Sequence, residues 1–304
     1  LAEQSGLVHA DLSVGANVAQ ASTLLANSQI ANRGVIPHGE GMLLTHDQAV
    51  QVGLGSVLGL EKHIRPYRNG RDLTDRPRGM LVIDLHGLTL EQVRERFPAV
   101  YQWLLERVKP ERDQNNRARV RELWWLFAEA RVVMRSALLG LPRYIATGQV
   151  AKHRAFQFLE VAILPDDKLI AIALSDAYYL GVLSSEVHVR WALALGGRLG
   201  VGNDPVYSKS TCFDTFPFPD DETGLTPELR QRIATLAQHI DDHRKRVLGL
   251  PLVPAQVPAS AGVGQSGAGR ADFCAFGSMR PPALPNPAGT TQAANPNQQL
   301  LFIL

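Results

Sequence analysis

Two cysteines in 304 residues, Cys212 and Cys274, stand 62 positions apart, with no CxxC pair and no Cys/His spacing that suits zinc. A disulfide framework and a zinc module are thereby excluded, and a reduced, cytoplasmic setting is the simple expectation. No run of 18 apolar residues occurs, and Leu169–Leu183 is broken by Ser175 and Asp176, so no membrane partner is expected. No secretory leader is visible. Catalytic signatures are equally scarce: GxSxG, HExxH, a P-loop and a Cys/His nucleophile pair are all missing. So is an Asn or Asp followed by Pro-Pro and an aromatic, the group that holds the exocyclic amine of a flipped base. Arg280-Pro281-Pro282-Ala283 is no substitute.

Two patterns that imitate sites carry little. Gly262–Gly267 satisfies GxGxxG, but it follows PLVPAQVPAS, which is no strand, and no carboxylate sits about twenty residues later. Asp166-Asp167-Lys168 has the D-x-K form of metal-dependent nuclease sites without a partner acid on a neighbouring strand, and a Pro-Asp-Asp turn explains it. No catalytic residue, no metal ligand and no cofactor-binding residue is assigned. The residues alone describe a mixed α/β binding module.

What is present is positive charge in one region. The net charge is only +2, yet residues 61–154 hold 19 Lys or Arg against 11 Asp or Glu. A local positive field on a near-neutral chain suits an anionic partner such as nucleic acid. The chain is organised around one part of this region, Val108 to Arg154. There Val120, Leu123, Trp124 and Phe127 fall at i, i+3, i+4 and i+7, the spacing of a buried helical stripe. Arg117, Arg121 and Trp125 fall at i, i+4 and i+8 on another face, which would lay Arg121 over the indole. Arg143, Lys152, His153 and Arg154 follow. A solvated basic face over an ordinary aromatic core accounts for the same residues, and composition does not separate the two.

A second basic feature is Ile64–Arg71, IRPYRNGR. Pro66 holds Arg65 extended and Asn69-Gly70 signals a turn. The expectation is a tight loop displaying Arg65, Tyr67, Arg68, Asn69 and Arg71, whose planar forks and stacking ring suit phosphates and base edges. Elsewhere Thr45 and Gln48 spell a capping box and Leu81–Leu85 a buried strand, and Pro98 divides the helical Leu90–Val108. Leu7–Gly15, Met42–Leu44, Arg143–Ala146, Phe156–Ile163, Leu169–Leu174 and Tyr178–Leu183 read as strands. Residues 32–41 and 164–168 read as a loop and a turn. Ser184–Leu195 reads as a helix capped by Ser184 or Ser185, with Val187, Trp191 and Leu195 inward. Gly196–Asp204 is expected to be a loop. Tyr207–Pro219 is expected to be an extended strap. Thr226–Leu248 reads as a helix with Leu229, Ile233, Leu236, Ile240 and Val247 along one side.

The blocks IRPYRNGRDL, LVIDLHG, VKPERDQNNR, ELWWLFAEAR, GLPRYIAT, KHRAFQF, GVLSSEVHVRWAL and YSKSTCFDTFPFP occur in this order. In this the chain resembles the C-terminal part of MmeI-like class I adenine-specific DNA methyltransferases of bacterial restriction-modification and phage-defence systems, over residues 5–248. The resemblance implies an α+β target-recognition domain at 15–219, with a mixed sheet and packed helices. It implies the end of a methyltransferase core at 1–14 and the start of a helical domain at 225–248. Residues 251–304, Pro/Gly/Ala/Gln-rich with only Arg270, Asp272 and Arg280 charged, are expected to be a disordered tail.

The resemblance further implies double-stranded DNA as partner. It places Arg65, Tyr67, Arg68, Asn69 and Arg71 on the DNA-facing side, and with them Arg117, Arg121, Arg143, Lys152, His153 and Arg154. Ser184, Ser185, His188 and Asn203 are second-line candidates. Methyl transfer from S-adenosylmethionine to a flipped adenine would belong to a core whose motifs this chain lacks. The first residue is Leu rather than Met, which fits a piece of a longer protein or an unusual start codon. A split enzyme completed by a separate catalytic chain, and a non-functional gene remnant, are the alternatives.

Overall fold

The computed structural model describes residue 18 and residues 21–252. The expected strand at Leu7–Gly15, the GxGxxG of residues 262–267 and the tail beyond residue 252 lie outside the described residues. The chain runs β1 (Ala31–Arg33), β2 (Leu43–Leu44), α1 (His46–Gln51), β3 (Ile64–Arg68), α2 (Gly70–Thr74) and β4 (Leu81–Ile83). Five helices follow: α3 (Leu90–Arg96), α4 (Pro98–Arg107), α5 (Lys109–Asp113), α6 (Ala118–Glu122) and α7 (Val132–Leu138). Then come β5 (Arg143–Gly148), β6 (Phe156–Glu160), β7 (Leu164–Pro165), β8 (Leu169–Ile172), α8 (Ala177–Ser184) and α9 (Glu186–Leu195). A short hairpin, β9 (Arg198–Leu199) and β10 (Asp204–Pro205), precedes the long helix α10 (Pro227–Leu248).

Two four-stranded sheets organise these elements. One is antiparallel throughout, in the order β1-β8-β5-β6. The other, β2-β4-β3-β7, is mixed, because β7 joins β3 in parallel. The fold class is α+β with a mixed sheet and packed helices, as expected. Helices α3 and α4 meet at Pro98, which starts α4 at its first position where a missing N–H costs nothing. Both capping-box bonds between Thr45 and Gln48 are made, at 2.9 and 3.3 Å. A large core cluster runs from Val35 through Trp103, Trp124 and Tyr144 to Ala171, and a second gathers Ile145, Phe158, Tyr207 and Phe213.

Four local expectations are corrected. Asn32 and Arg33, at the start of the expected loop, instead continue from Ala31 as a strand paired with β8, whose edge offers unpaired backbone groups. Leu164–Pro165 is likewise a short strand on β3, ahead of the turn. Tyr178–Leu183 is helical. Asp176 caps it by accepting from the Tyr178 N–H at 2.9 Å, and an apolar run with no period gives no hint of helix against strand. Gly181 makes its packing possible: a Cβ there would stand 2.5 Å from Ile233 Cγ2 of α10.

The fourth correction concerns α10. Leu229, Leu236, Ile240 and Val247 are 41–68% exposed, whereas Ala237, Asp241 and Lys245 are buried. Polar residues turn inward because partners wait there. Asp241 accepts from the Phe158 N–H at 3.1 Å and from the Lys245 ammonium. Helix α10 thus lies across α8 and the outer strand β6, and near its end Arg244 reaches the Leu73 carbonyl of α2.

Candidate nucleic-acid interface

The stretch Ile64–Arg71 is a strand followed by a capped turn of helix, not a displayed loop. Side chains two apart on β3 share a face, so Arg65 and Tyr67 point the same way. Arg65 donates to the Val161 and Ala162 carbonyls at 2.7 and 3.0 Å and stands 3.6 Å from Asp84. Tyr67 is buried and donates to Asp166 Oδ2 at 2.5 Å; burial first, then that carboxylate, raises its phenol pKa. Arg68 is half-buried, and its lowered pKa reflects desolvation offset in part by Asp72. Asn69 caps α2 by accepting from the Arg71 and Asp72 N–H groups at 3.1 and 3.2 Å. Of the five candidates in this stretch, only Arg71 is exposed.

Arg71 lines a cleft of about 660 Å³ with Gly70, Thr74, Lys152, His153 and Arg244. Lys152 and His153 are exposed on the loop between β5 and β6. Arg244 comes from α10 and donates to the Leu73 carbonyl. None of the lining residues is acidic. Three segments distant in sequence therefore turn cationic groups onto one concave surface, an arrangement suited to a polyanion. The basic run His243-Arg244-Lys245-Arg246 was the available signal for Arg244. Its four members face different ways, and the sequence does not say which one meets α2.

Beside the cleft stands the hairpin β9–β10. Its tip is open to solvent at Leu199, Val201 and Asn203, and Asn203 adopts a left-handed φ of 50°. Gly196 lets the chain leave α9 close to this hairpin, since a Cβ there would meet Val206 O at 2.4 Å. The hairpin is fastened to the basic loop: Val150 bridges Val206, and the Ala151 N–H donates to Pro205 O at 3.3 Å. Arg154 sits behind both segments. It donates to Thr147 Oγ1 and Pro205 O at 3.2 Å each and to Gly148 O, with its guanidinium over the Tyr207 ring at 5.1 Å.

The remaining candidates separate into internal and open positions. Arg143 is 1% exposed; it donates to Ser175 O and Gln238 Oε1 and covers Phe158 at 3.6 Å, so it clamps α10 to the sheet. His188 is fully buried, bonded through Nε2 to Tyr207 Oη at 2.9 Å, and burial with the nearby Arg154 pushes its pKa down to about 3. Ser185 caps α9 and Ser184 ends α8. The strap Tyr207–Pro219 is internal and partly helical, with Cys212, Phe213 and Phe216 buried.

Arg117 and Arg121 are exposed, the first 3.9 Å from Glu129 and the second donating to the Asn115 carbonyl at 2.6 Å. Their helix α6 stops at Glu122. The helix is shorter than expected, although Val120, Trp124 and Phe127 of the stripe are buried, and Arg121 does not lie over Trp125, whose indole N–H instead donates to Leu88 O at 3.1 Å. In the D-x-K turn Asp166 accepts from the Tyr67 hydroxyl at 2.5 Å and from the Lys168 N–H at 2.8 Å, while Asp167 is paired with Arg33 at 2.6 Å and with Arg131 at 2.9 Å, so both carboxylates are engaged within the protein. Among the described residues no cluster suits a metal ion, and no helix is long and apolar enough to cross a membrane.

Comparison with known proteins matches a family model described as MmeI, target recognition domain, to residues 15–220. A segment of 59 residues, 19% of this chain, is 37% identical to DNA methyltransferase A of Bacillus subtilis (strain 168) and covers 6% of that protein. The fold resembles the solved Type IIL restriction-modification enzyme MmeI in complex with DNA, with a TM-score of 0.53 and 16% identity. That likeness covers 76% of this chain and 33% of the neighbour. The chain thus spans a third or less of each of these relatives.

Proposed function

The chain belongs to the MmeI target recognition domain family, and from that premise we propose that it binds double-stranded DNA and reads a short sequence for a methyltransferase. The observation that carries the reading is the acid-free cleft of Arg71, Lys152, His153 and Arg244. Cations on a concave wall meet phosphates and release counterions, which supplies affinity without sequence information. Arg117, at the N-cap of α6, and Arg121, within it, are exposed and supply further phosphate contacts. Sequence is read by groups that reach base edges. Arg71 and the hairpin residues Arg198 and Asn203 are the candidates for this, since all three are exposed. Tyr67, Asn69, Arg143 and Arg154 serve by holding these segments in place.

Methyl transfer belongs to a core outside this chain, using S-adenosylmethionine on adenine within a cytoplasmic restriction-modification or phage-defence system. The basic cleft does not fit that cofactor. Its lining has no carboxylate for the ribose hydroxyls and repels a cationic sulfonium. Selection of the whole chain against a randomised duplex pool tests the reading. Enrichment of one short site is the expected result; binding of every duplex alike would remove sequence readout from this chain.

A further inference from the structure

The basic loop 150–153 and the hairpin β9–β10 have different tasks under the DNA-binding reading, and they meet at one side chain. Backbone bonds between them are few: Ala151 N–H to Pro205 O at 3.3 Å, and Tyr207 N–H to Gln149 O at 2.7 Å. Arg154 adds a planar fork that spans the same seam. Its Nη1 donates to Gly148 O and Thr147 Oγ1, at the start of the loop, and its Nη2 donates to Pro205 O, at the base of the hairpin. Tyr207 supplies the floor on which the guanidinium lies, and His188 fixes the Tyr207 hydroxyl from below. Both terminal nitrogens are thus already engaged with the protein itself.

We propose that Arg154 is a positioning residue that sets the spacing between the phosphate-facing loop 150–153 and the hairpin β9–β10, keeping backbone contact and base readout in register on one duplex. The proposal rests on the DNA-binding reading above. Its chemistry requires arginine: a guanidinium presents fixed, divergent N–H groups to two segments, whereas an ammonium is a single point that satisfies one side at a time. Readout depends on groups held to a fraction of an ångström, so a loosened seam costs preference before it costs affinity.

Arg154→Lys keeps the charge and removes the fork. In the whole chain, hydrogen exchange at the Ala151 and Tyr207 amides should accelerate roughly tenfold, as loss of one or two hydrogen bonds implies. The Ile145 and Ile172 amides of the antiparallel sheet should be unchanged. Preference for the selected duplex over a single-mismatch duplex should fall about fivefold or more, the scale of one base pair, while the salt slope stays as in the wild type. Thr147→Val removes one acceptor of the fork and should give both changes in weaker form if Arg154→Lys does not fold.

Unchanged exchange at both amides overturns the proposal, and so does faster exchange with preference intact. A shallower salt slope for Arg154→Lys, with preference intact, would make Arg154 a phosphate ligand instead. Failure of the wild-type chain to bind any duplex would sink the DNA-binding reading and, with it, the register role. The exchange rates would still show whether the clip between loop and hairpin exists.

Discussion

Asp241 accepts the Phe158 N–H at 3.1 Å from the middle of α10, and so ties the last described helix to the outer strand of the antiparallel sheet. A strand edge left open exposes unpaired backbone groups; here a carboxylate takes one of them and the Lys245 ammonium balances the charge. Both side chains are nearly inaccessible, Asp241 at 2% and Lys245 at 4% exposure.

Removing one partner of this pair should therefore cost far more than removing both. Asp241→Ala leaves a buried ammonium and a backbone N–H without partners, a loss of about 3–5 kcal/mol. Asp241→Leu combined with Lys245→Met should recover a good part of that loss. Urea unfolding of the three variants measures it, and a single-variant loss below about 1 kcal/mol would mean that α10 is not held through this pair.

His188 gives a pH dependence whose sign follows from its depressed folded pKa, about 3 against the ordinary 6.5. The unfolded chain takes up a proton near pH 6.5, while the folded chain resists until about pH 3. Stability from the neutral imidazole is complete above pH 6.5 and is lost as pH falls toward 3. Between pH 7.5 and 5 the wild type should lose about 2 kcal/mol more than His188→Gln does. Parallel pH profiles for the two proteins would show that the ring is not held neutral by its burial against Phe156, Phe216 and Tyr207.

The close approach of α8 and α10 depends on Gly181. A methyl group there meets Ile233 and Ala237 from 2.5 Å outward, so one helix must shift. Gly181→Ala should destabilise by about 1–3 kcal/mol despite the better helix propensity of alanine. A thermal midpoint equal to or above that of the wild type would show that the helices part at little cost.

Much of the scaffold was legible where local chemistry decides it. Thr45 with Gln48, Pro98 and Ser185 mark helix ends through hydrogen bonds or ring constraints within four residues, and each stands where the sequence places it. Legibility failed where a distant partner decides. Arg143 looks like any surface arginine until α10 covers it, and Arg154 until Pro205 and Tyr207 close on it. Nothing near Asp241 and Lys245 in sequence reveals the strand edge that receives them. Arg244 joined the cleft for the same reason: its neighbours Arg71 and Lys152 lie 173 and 92 positions earlier.

The central claim is that the cleft of Arg71, Lys152, His153 and Arg244 is where DNA phosphates are held. The measurement is fluorescence anisotropy of the whole chain on a duplex across a salt series, beside Lys152→Ala and Arg71→Ala. The claim predicts that Lys152→Ala weakens all duplexes alike and reduces the slope of log affinity against log salt by about 0.9, one phosphate contact. Arg71→Ala should do the same or, if its fork reads a guanine, change preference at one base pair by about 1–3 kcal/mol. Wild-type affinity and slope in both variants would place the DNA elsewhere on the protein.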